Sequence, residues 1–319
     1  QELQNFNDAR TIFVVGNQYS RYGVMSHIEF LSENWVVDSL FKLALKRNTV
    51  EAKTLNRQMH FSAGYLHDKK WKEKTLVQLL KYDIASLTKV ISLSPIIMKL
   101  VAMKKIGLKH TLDQFYNQID EDKKHITIKH LLTHSSGLKP FVEFYKKDLT
   151  MERNVMVENI LNLDLDFSPG EKMQYSDLGI IVLMDIIEKV SGSTLDKLCD
   201  KWIFNKIDML STSYNPDASL VAKIAPTEDD DYYRNRLLQG EVHDENAYLL
   251  GGVSGHAGIF SNAHDLAKYA QLFLNKGTWL GNRIFSDSSV DEFTTRQNLP
   301  PGSDYALGWD TPSRNGKSS

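Results

Sequence analysis

Apolar residues along the chain fall into blocks divided by turn-forming residues, and the spacing inside each block sets the element it predicts. Residues 11–15, Thr-Ile-Phe-Val-Val, followed by Gly16 and Asn17, read as a buried strand ending in a turn. Between 34 and 47, Trp35, Val36, Leu40, Leu43 and Leu45 lie near helical spacing among Lys42, Lys46 and Arg47, so a helix is expected. No clean period runs through 49–60, and Phe61 to Tyr65 suggests a short strand with Gly64 inside it. From Leu87 to Ile106, apolar positions Val90, Ile91, Ile97, Met98 and Val101 recur at helical spacing. Pro95 lacks an N–H and is expected to kink that helix, and Gly107 to stop it. Further helices are expected over Ile126 to Leu132, with Thr127 as N-cap and Gly137 as terminator, over Asp177 to Val190, with Gly192 beyond, and over Thr194 to Phe204. The stretch 86–210 is thus largely helical. A glycine-rich segment at 250–262 precedes a helix that starts at Asn262 or His264 and runs through Leu274. There is no internal repeat and no low-complexity tract.

Composition narrows the class without naming it. The 319 residues are 42% hydrophobic and 24% charged, ordinary for a globular chain with one large domain or two smaller ones. The net charge of −2 gives no electrostatic pull toward nucleic acid or an anionic membrane surface. Cys199 is the only cysteine, which excludes an internal disulfide and a metal site built on several thiolates. No run of roughly 18 apolar residues is evident, so no transmembrane segment is expected. Residues 1–5 lack the basic and apolar regions of a signal peptide. The acidic run Glu228 to Asp231 reads as a solvated loop.

The candidate chemistry starts at Ser86 and Lys89. Residues three apart on a helix are neighbours, so a hydroxyl and an amine share a face, and a first helical turn offers unpaired backbone N–H groups. A serine hydroxyl becomes a useful nucleophile when a base takes its proton, and a partly desolvated lysine of lowered pKa can be that base. The plainer reading is a surface helix whose first turn carries Ser and Lys; the apolar run behind it and a second motif downstream favour chemistry. That second motif is Phe167-Ser-Pro-Gly170 followed by Tyr175, Ser176 and Asp177. Pro-Gly makes a turn that presents Tyr175 just before a buried helix. A phenol near an ammonium can have a lowered pKa and relay protons. Without Ser86 and Lys89, a packed Tyr with Asp177 as N-cap is the better reading.

Other clusters are weaker. His243, Asp244 and His256 have metal-binding side chains, but their spacing fits no zinc pattern, and a place along a substrate cleft suits them better. His130 and His134 stand four apart without the Glu of a His-Glu-x-x-His helix, and Gly251, Gly252 and Gly255 lack the Lys-Ser or Lys-Thr of a phosphate loop. Trp202, Phe204, Met209 and Leu210 read as core.

Taken in order, Ser86-x-x-Lys89, His130-Leu-Leu-Thr-His134-Ser-Ser-Gly137, Phe167-x-Pro-Gly170 and Tyr175-Ser-Asp177 resemble the class C β-lactamase-like serine hydrolases, a family of penicillin-binding DD-peptidases, β-lactamases and esterases. The segments from Gly240 to Ala247 and from Gly251 to Ser261 resemble the penicillin-binding, carboxypeptidase-like branch, and Tyr305 to Trp309 also fits. The resemblance covers about 61–310. It implies an α+β fold, β-lactamase/transpeptidase-like, with an antiparallel sheet flanked by helices and a helical subdomain at about 86–210. Residues 35–319 would form this domain, with 1–34 an unassigned N-terminal segment. Ser86 would be the acylated nucleophile, Lys89 its proton acceptor and Tyr175 the group that helps protonate the leaving group. The Ser86 N–H would be half of an oxyanion hole. Asp177, His243, Asp244, His256 and Gly258 would line the substrate site. No cofactor or metal is implied, the partner would be a small-molecule or peptidoglycan-peptide substrate, and the location would be periplasmic or extracellular.

Three departures from the family pattern stand out. The Lys-Thr-Gly or His-Thr-Gly strand that follows the Gly-Trp segment in the family is not found before Ser319, so the fold is expected to be incomplete at that end. The hairpin before the nucleophile is expected to be shortened, since 48–60 lacks strand alternation. Asp177 stands where many β-lactamases have Asn; a carboxylate only accepts, whereas an amide also donates. Two functions are therefore carried forward. One is a serine hydrolase acting through an acyl-enzyme on Ser86 with an ester, a D-alanyl peptide or a β-lactam. The other is a non-catalytic module that binds cell-wall peptides or supports a neighbouring domain.

Overall fold

In a computed structural model of the chain, residues 81–147 and 151–312 are described in full, and the strands Ile12–Gly16 (β1) and Met25–Glu29 (β2) as backbone. β1 falls on the strand predicted at 11–15 and pairs antiparallel with β2, from Ile12 opposite Glu29 to Gly16 opposite Met25. The helix expected at 34–47, the aperiodic stretch 49–60 and the strand expected at Phe61 to Tyr65 lie outside the described residues.

The first fully described element is a two-residue strand, Tyr82–Asp83 (β3). A helical run follows in three gauges. Ala85–Leu87 is a 3₁₀ turn, Lys89–Leu93 a π-helical turn and Ser94–Ala102 (α1) an α-helix. Pro95 therefore lies in the first turn of α1, where its missing N–H costs little. The expected kink is replaced by the π turn upstream, where the Ser94 N–H reaches back to the Lys89 carbonyl. α1 ends at Ala102, before Gly107, and Lys104 takes the left-handed conformation at φ 57°. The continuous run Ala85–Ala102 is long and apolar enough to cross a bilayer by composition, which the sequence reading did not register. It is 61% buried inside the fold and carries Ser86 and Lys89, so it is a core helix of this domain.

Two short helices flank the next stretch, Ile128–Leu132 (α2) and Arg153–Leu161 (α3). Thr127 caps α2 as expected: its hydroxyl accepts the His130 N–H while His130 Nδ1 accepts the Thr127 N–H. α2 stops at Leu132, five residues short of Gly137. Asp177–Ser191 (α4) is the central helix; Leu178, Ile180, Ile181, Leu183, Ile186 and Ile187 are each 0% exposed, so it is covered on all sides. Ser176, not Asp177, is its N-cap, and Gly192 closes it at φ 68°. Leu195–Trp202 (α5) packs against α4 and is followed by a 3₁₀ turn at Phe204–Lys206.

The strand Ser213–Tyr214 (β4) joins β3 on either side of Ile259–Ser261 (β7), giving an antiparallel sheet ordered β3-β7-β4. Between them lie Glu228–Asp230 (β5) and Arg236–Leu238 (β6), a separate hairpin, and the one-turn helix Glu245–Leu249 (α6). Glu228–Asp230 of the acidic run thus form a strand, and Asp230 is fully buried against Arg234 at 2.7 Å, a correction to the loop reading, while Asp229 and Asp231 are exposed as expected. Asn262 caps Ala263–Leu274 (α7) through the Asp265 N–H. Two short strands, Thr278–Trp279 (β8) and Asn282–Arg283 (β9), and the helix Asp287–Thr294 (α8) follow. Helices with small antiparallel sheets make the fold α+β.

Candidate active site

Ser86 is placed by a turn between β3 and the helical run. The Ile84 N–H bonds the Ile259 carbonyl of β7 at 3.0 Å, and the chain then reverses through Ala85, a residue with a Cβ held at φ 45°. Such a left-handed alanine is costly and persists only where its surroundings fix it. Asp83 supplies the fixation: one carboxylate oxygen accepts the Ala85 N–H and the other the His243 N–H, each at 2.8 Å. Burial pushes the Asp83 carboxyl above its ordinary value despite these donors. Thr88 ties the next turn to the sheet, its hydroxyl accepting the Ile259 N–H at 3.2 Å.

Lys89 sits one turn on, in the π-helical segment. Its Nζ donates to Ser86 Oγ at 2.9 Å and to the His256 carbonyl at 3.2 Å, and it pairs with Asp177 Oδ1 at 2.7 Å. The two charged side chains are only 4% and 3% exposed. Nζ also lies 4.7 Å from the centroid of the Tyr175 ring, and the Tyr175 phenol interacts with both Lys89 and Ser86. Burial favours a neutral lysine, but the Asp177 carboxylate, with Tyr175 adding to it, outweighs burial and holds the Lys89 ammonium above the ordinary lysine range. This reverses the lowered lysine pKa expected from the sequence. The Tyr175 phenol is likewise raised, because burial and Asp177 exceed the pull of the Lys89 charge.

Asp177 and Tyr175 reach Ser86 from the loop before α4. The Ser176 hydroxyl accepts the Gly179 N–H at 3.1 Å and donates to the Lys139 carbonyl at 2.7 Å, fixing the helix entry. His134 braces the same loop from behind. Its Nδ1 accepts the Ser176 N–H at 3.1 Å, and its ring lies 4.4 Å from that of Tyr175 and edge-on to Tyr305 at 5.1 Å. Burial, helped by the Lys89 charge, pushes the His134 pKa down to about 3, so the ring is neutral. Gly137 makes the loop crossing possible: at φ 83°, a Cβ there would stand 2.1 Å from the Phe167 carbonyl oxygen.

The remaining candidates form the wall beside Lys89. His256 Nε2 bonds Asp244 Oδ1 at 2.8 Å and its Nδ1 bonds Ser254 Oγ at 2.7 Å, so both ring nitrogens are committed and only its carbonyl meets Lys89. Asp244 also caps α6 through the Ala247 N–H at 2.7 Å. Burial alone raises its carboxyl, but His256, the Ala247 N–H and the Lys89 charge hold it well below the carboxylate range. His243 turns its ring to Glu228 at 2.5 Å, and that carboxylate lifts the imidazole above its ordinary value against burial. Gly258, at φ 116°, lets β7 pass the Gly252 carbonyl, which a Cβ would approach to 2.4 Å. The structure therefore gathers Ser86, Lys89, Tyr175 and Asp177 around one point and sets His256, through its carbonyl, at their edge; the side chains of His243 and Asp244 bond elsewhere. Asp83 was not foreseen as a site residue, although an Asp two residues before a turn position is a recognisable Asx-turn signal. His134 was legible only as part of the His130 to Gly137 motif expected to pack near the site, not as the brace of Tyr175.

A protein-family description named Beta-lactamase matches residues 48–317. An N-acetylmuramyl-L-alanine amidase of Bacillus subtilis (strain 168) is 31% identical over 289 residues, which is 81% of this chain and 64% of that protein. A Salmonella typhimurium protein whose name provisionally assigns it as a D-alanyl-D-alanine carboxypeptidase is 31% identical over 253 residues, 72% of this chain and 58% of that protein. The chain thus spans about three-fifths of the length of these relatives. Among solved structures, a penicillin-binding protein homologue from Caulobacter crescentus superposes with a TM-score of 0.59 at 15% identity, over 74% of this chain and 68% of that one.

Proposed function

Because the chain belongs to the β-lactamase family, we propose that it is a serine acyl hydrolase that forms an acyl-enzyme on Ser86. The observation that carries this reading is the contact of Lys89 Nζ with Ser86 Oγ at 2.9 Å, with the Tyr175 ring beside Nζ at 4.7 Å. Ser86 Oγ attacks the substrate carbonyl, Lys89 and Tyr175 manage its proton and that of the leaving group, and the Ser86 N–H in the first helical turn faces the developing oxyanion. Asp177 borders the reacting atoms; Asp244, His256 and Gly258 hold the wall at Lys89, and His243 flanks it through Asp83. The substrate class is an ester or an amide of D-alanyl peptide type. The names of the relatives support it, since an amidase and a carboxypeptidase both cleave acyl–nitrogen bonds. Peptides of that kind lie outside the cytoplasmic membrane, which supports a periplasmic or extracellular location. The active domain is 35–319, with its helical part at about 86–210, and residues 1–34 remain an unassigned N-terminal segment.

One observation favours the second reading, a non-catalytic module that binds cell-wall peptides: Lys89 is an ammonium that already donates to Ser86, so the resting serine faces a proton donor. The two are separated by intact-mass measurement after a fluorophosphonate or penicillin probe. The hydrolase reading expects one adduct that disappears in Ser86→Ala; no adduct, or one that survives the substitution, leaves the binding module.

A further inference from the structure

Lys89 poses a proton-balance problem. A lysine ammonium has three protons and no lone pair. Here Nζ donates to Ser86 Oγ and to the His256 carbonyl and stands 2.7 Å from Asp177 Oδ1, a buried oxygen with no other partner among the described residues, with the Tyr175 phenol beside it. It cannot take the serine proton without first losing one of its own. The groups that face it decide where that proton goes. The His256 carbonyl is no base. His134, behind Tyr175, is neutral but points Nδ1 at the Ser176 N–H. Tyr175 and Tyr305 are both buried phenols held protonated. Asp244 lies beyond His256 and is bonded to it. Among the described residues, Asp177 is the one carboxylate paired directly with Lys89, at 2.7 Å with both side chains almost fully buried.

Resting on the assignment of Ser86 as nucleophile, we propose that Asp177 is the terminal proton acceptor of the site and draws the Ser86 proton through Lys89. As Ser86 Oγ bonds the substrate carbonyl carbon, its O–H bond breaks and the proton moves to Nζ. Lys89 passes a different proton to Asp177 Oδ1, so it stays an ammonium and the carboxylate becomes a carboxylic acid. When the acyl–leaving-group bond breaks, Lys89 gives up one proton as it takes back the one on Asp177; the proton it gives reaches the leaving group directly, or goes to Tyr175 as the phenol passes its own to the leaving group. Asp177 ends as a carboxylate, Ser86 as the acyl ester, and no charge or proton is left over. An Asn at this position holds a lysine without being able to take its proton. The Asp found here changes the base from an amine to a carboxylate.

The test is the pH profile of Ser86 acylation, read as the rate of fluorophosphonate adduct formation in wild type and D177N. A relay through Asp177 predicts that D177N is slowed ~10²-fold at pH 7, the usual loss when a general base is removed. Its acid limb should move up by roughly 2 pH units or more, because a buried lysine alone must then deprotonate. If Lys89 is itself the base, D177N is as fast as wild type or faster at pH 7, because its lysine is freed from the carboxylate; that result overturns the relay. A proton inventory of acylation by wild type in mixed light and heavy water needs no substitution and covers the case of a misfolded variant. Two protons moving together give a curved plot, and a straight one refutes the relay. Labelling of Ser86 in wild type with either refuting outcome leaves the hydrolase intact and removes only the role of Asp177. Absence of any Ser86 adduct removes both.

Discussion

His134 should make this fold acid-sensitive in a way that one substitution removes. The ring is 2% exposed, braces Tyr175 and accepts the Ser176 N–H, so protonating it breaks a hydrogen bond and puts a second cation near Lys89. Its ordinary value is 6.5 and its folded value about 3. Between these values the unfolded chain binds a proton that the native chain does not, so stability must fall as pH falls. At pH 7.5 the group contributes almost nothing. At pH 4.5 the unfolded imidazole is almost all protonated and the native one almost none, a difference of about 2–3 kcal/mol at ~1.4 kcal/mol per pH unit. His134→Asn is the informative variant. Asparagine tolerates the φ of 53° found here, offers an amide oxygen to the Ser176 N–H, and does not titrate. Losing the ring should cost about 1–2 kcal/mol at every pH. His243, whose raised value adds stability below its ordinary range and loses it as pH rises, is common to both proteins and cancels. So does Asp244, whose depressed carboxyl contributes above the carboxylate range and is lost only in stronger acid. The assay is urea unfolding of both proteins at pH 7.5 and 4.5. The wild type should lose about 2–3 kcal/mol more than the variant over this interval. Parallel losses would mean that His134 is protonated or solvated in the native state, and the account of the Tyr175 loop would fail with it.

Two further substitutions probe how Ser86 and the Tyr175 loop are held. Asp83→Ala leaves the partly buried Ala85 and His243 N–H groups without their acceptor, and should cost about 2–6 kcal/mol, at ~1–3 kcal/mol for each of the two orphaned donors. Asp83→Asn, with one acceptor oxygen, should recover part of this, and an Asp83→Ala protein within experimental error of wild type in denaturant would dismiss the brace. Gly137→Ala should lower stability by about 3 kcal/mol or more, since the left-handed penalty of ~1–2 kcal/mol is joined by a clash with the Phe167 carbonyl. Gly192→Ala, left-handed at φ 68° but with open space around it, should cost only the conformational part, and equal melting temperatures for the two variants would contradict the close approach at Gly137.

What was legible in the sequence is what depends on neighbours along the chain. α4, α7 and the cap of α2 follow from periodicity and side-chain chemistry within a few residues, and the structure places them within a residue or two of expectation. Pro95 misled because a proline was read as breaking an α-helix, whereas a π turn just upstream moves it to a position that needs no N–H. Glu228 to Asp231 misled at one residue: Asp229 and Asp231 are solvated as charge runs usually are, but Arg234, four residues on from Asp230, turns that carboxylate inward. The pairing of Ser86, Lys89 and Tyr175 was readable only because each sits in a motif. The electrostatics between them were not, because they depend on a distance between chain positions 88 residues apart, from Lys89 to Asp177. A buried lysine alone is a base, and a buried lysine at 2.7 Å from a carboxylate is an acid held in place. The same Ser-x-x-Lys motif therefore supports opposite proton states depending on one residue of the second motif, and the Asp177 side chain, which the sequence marked as a site residue and a departure but not as the partner of Lys89, sets which state this chain is in.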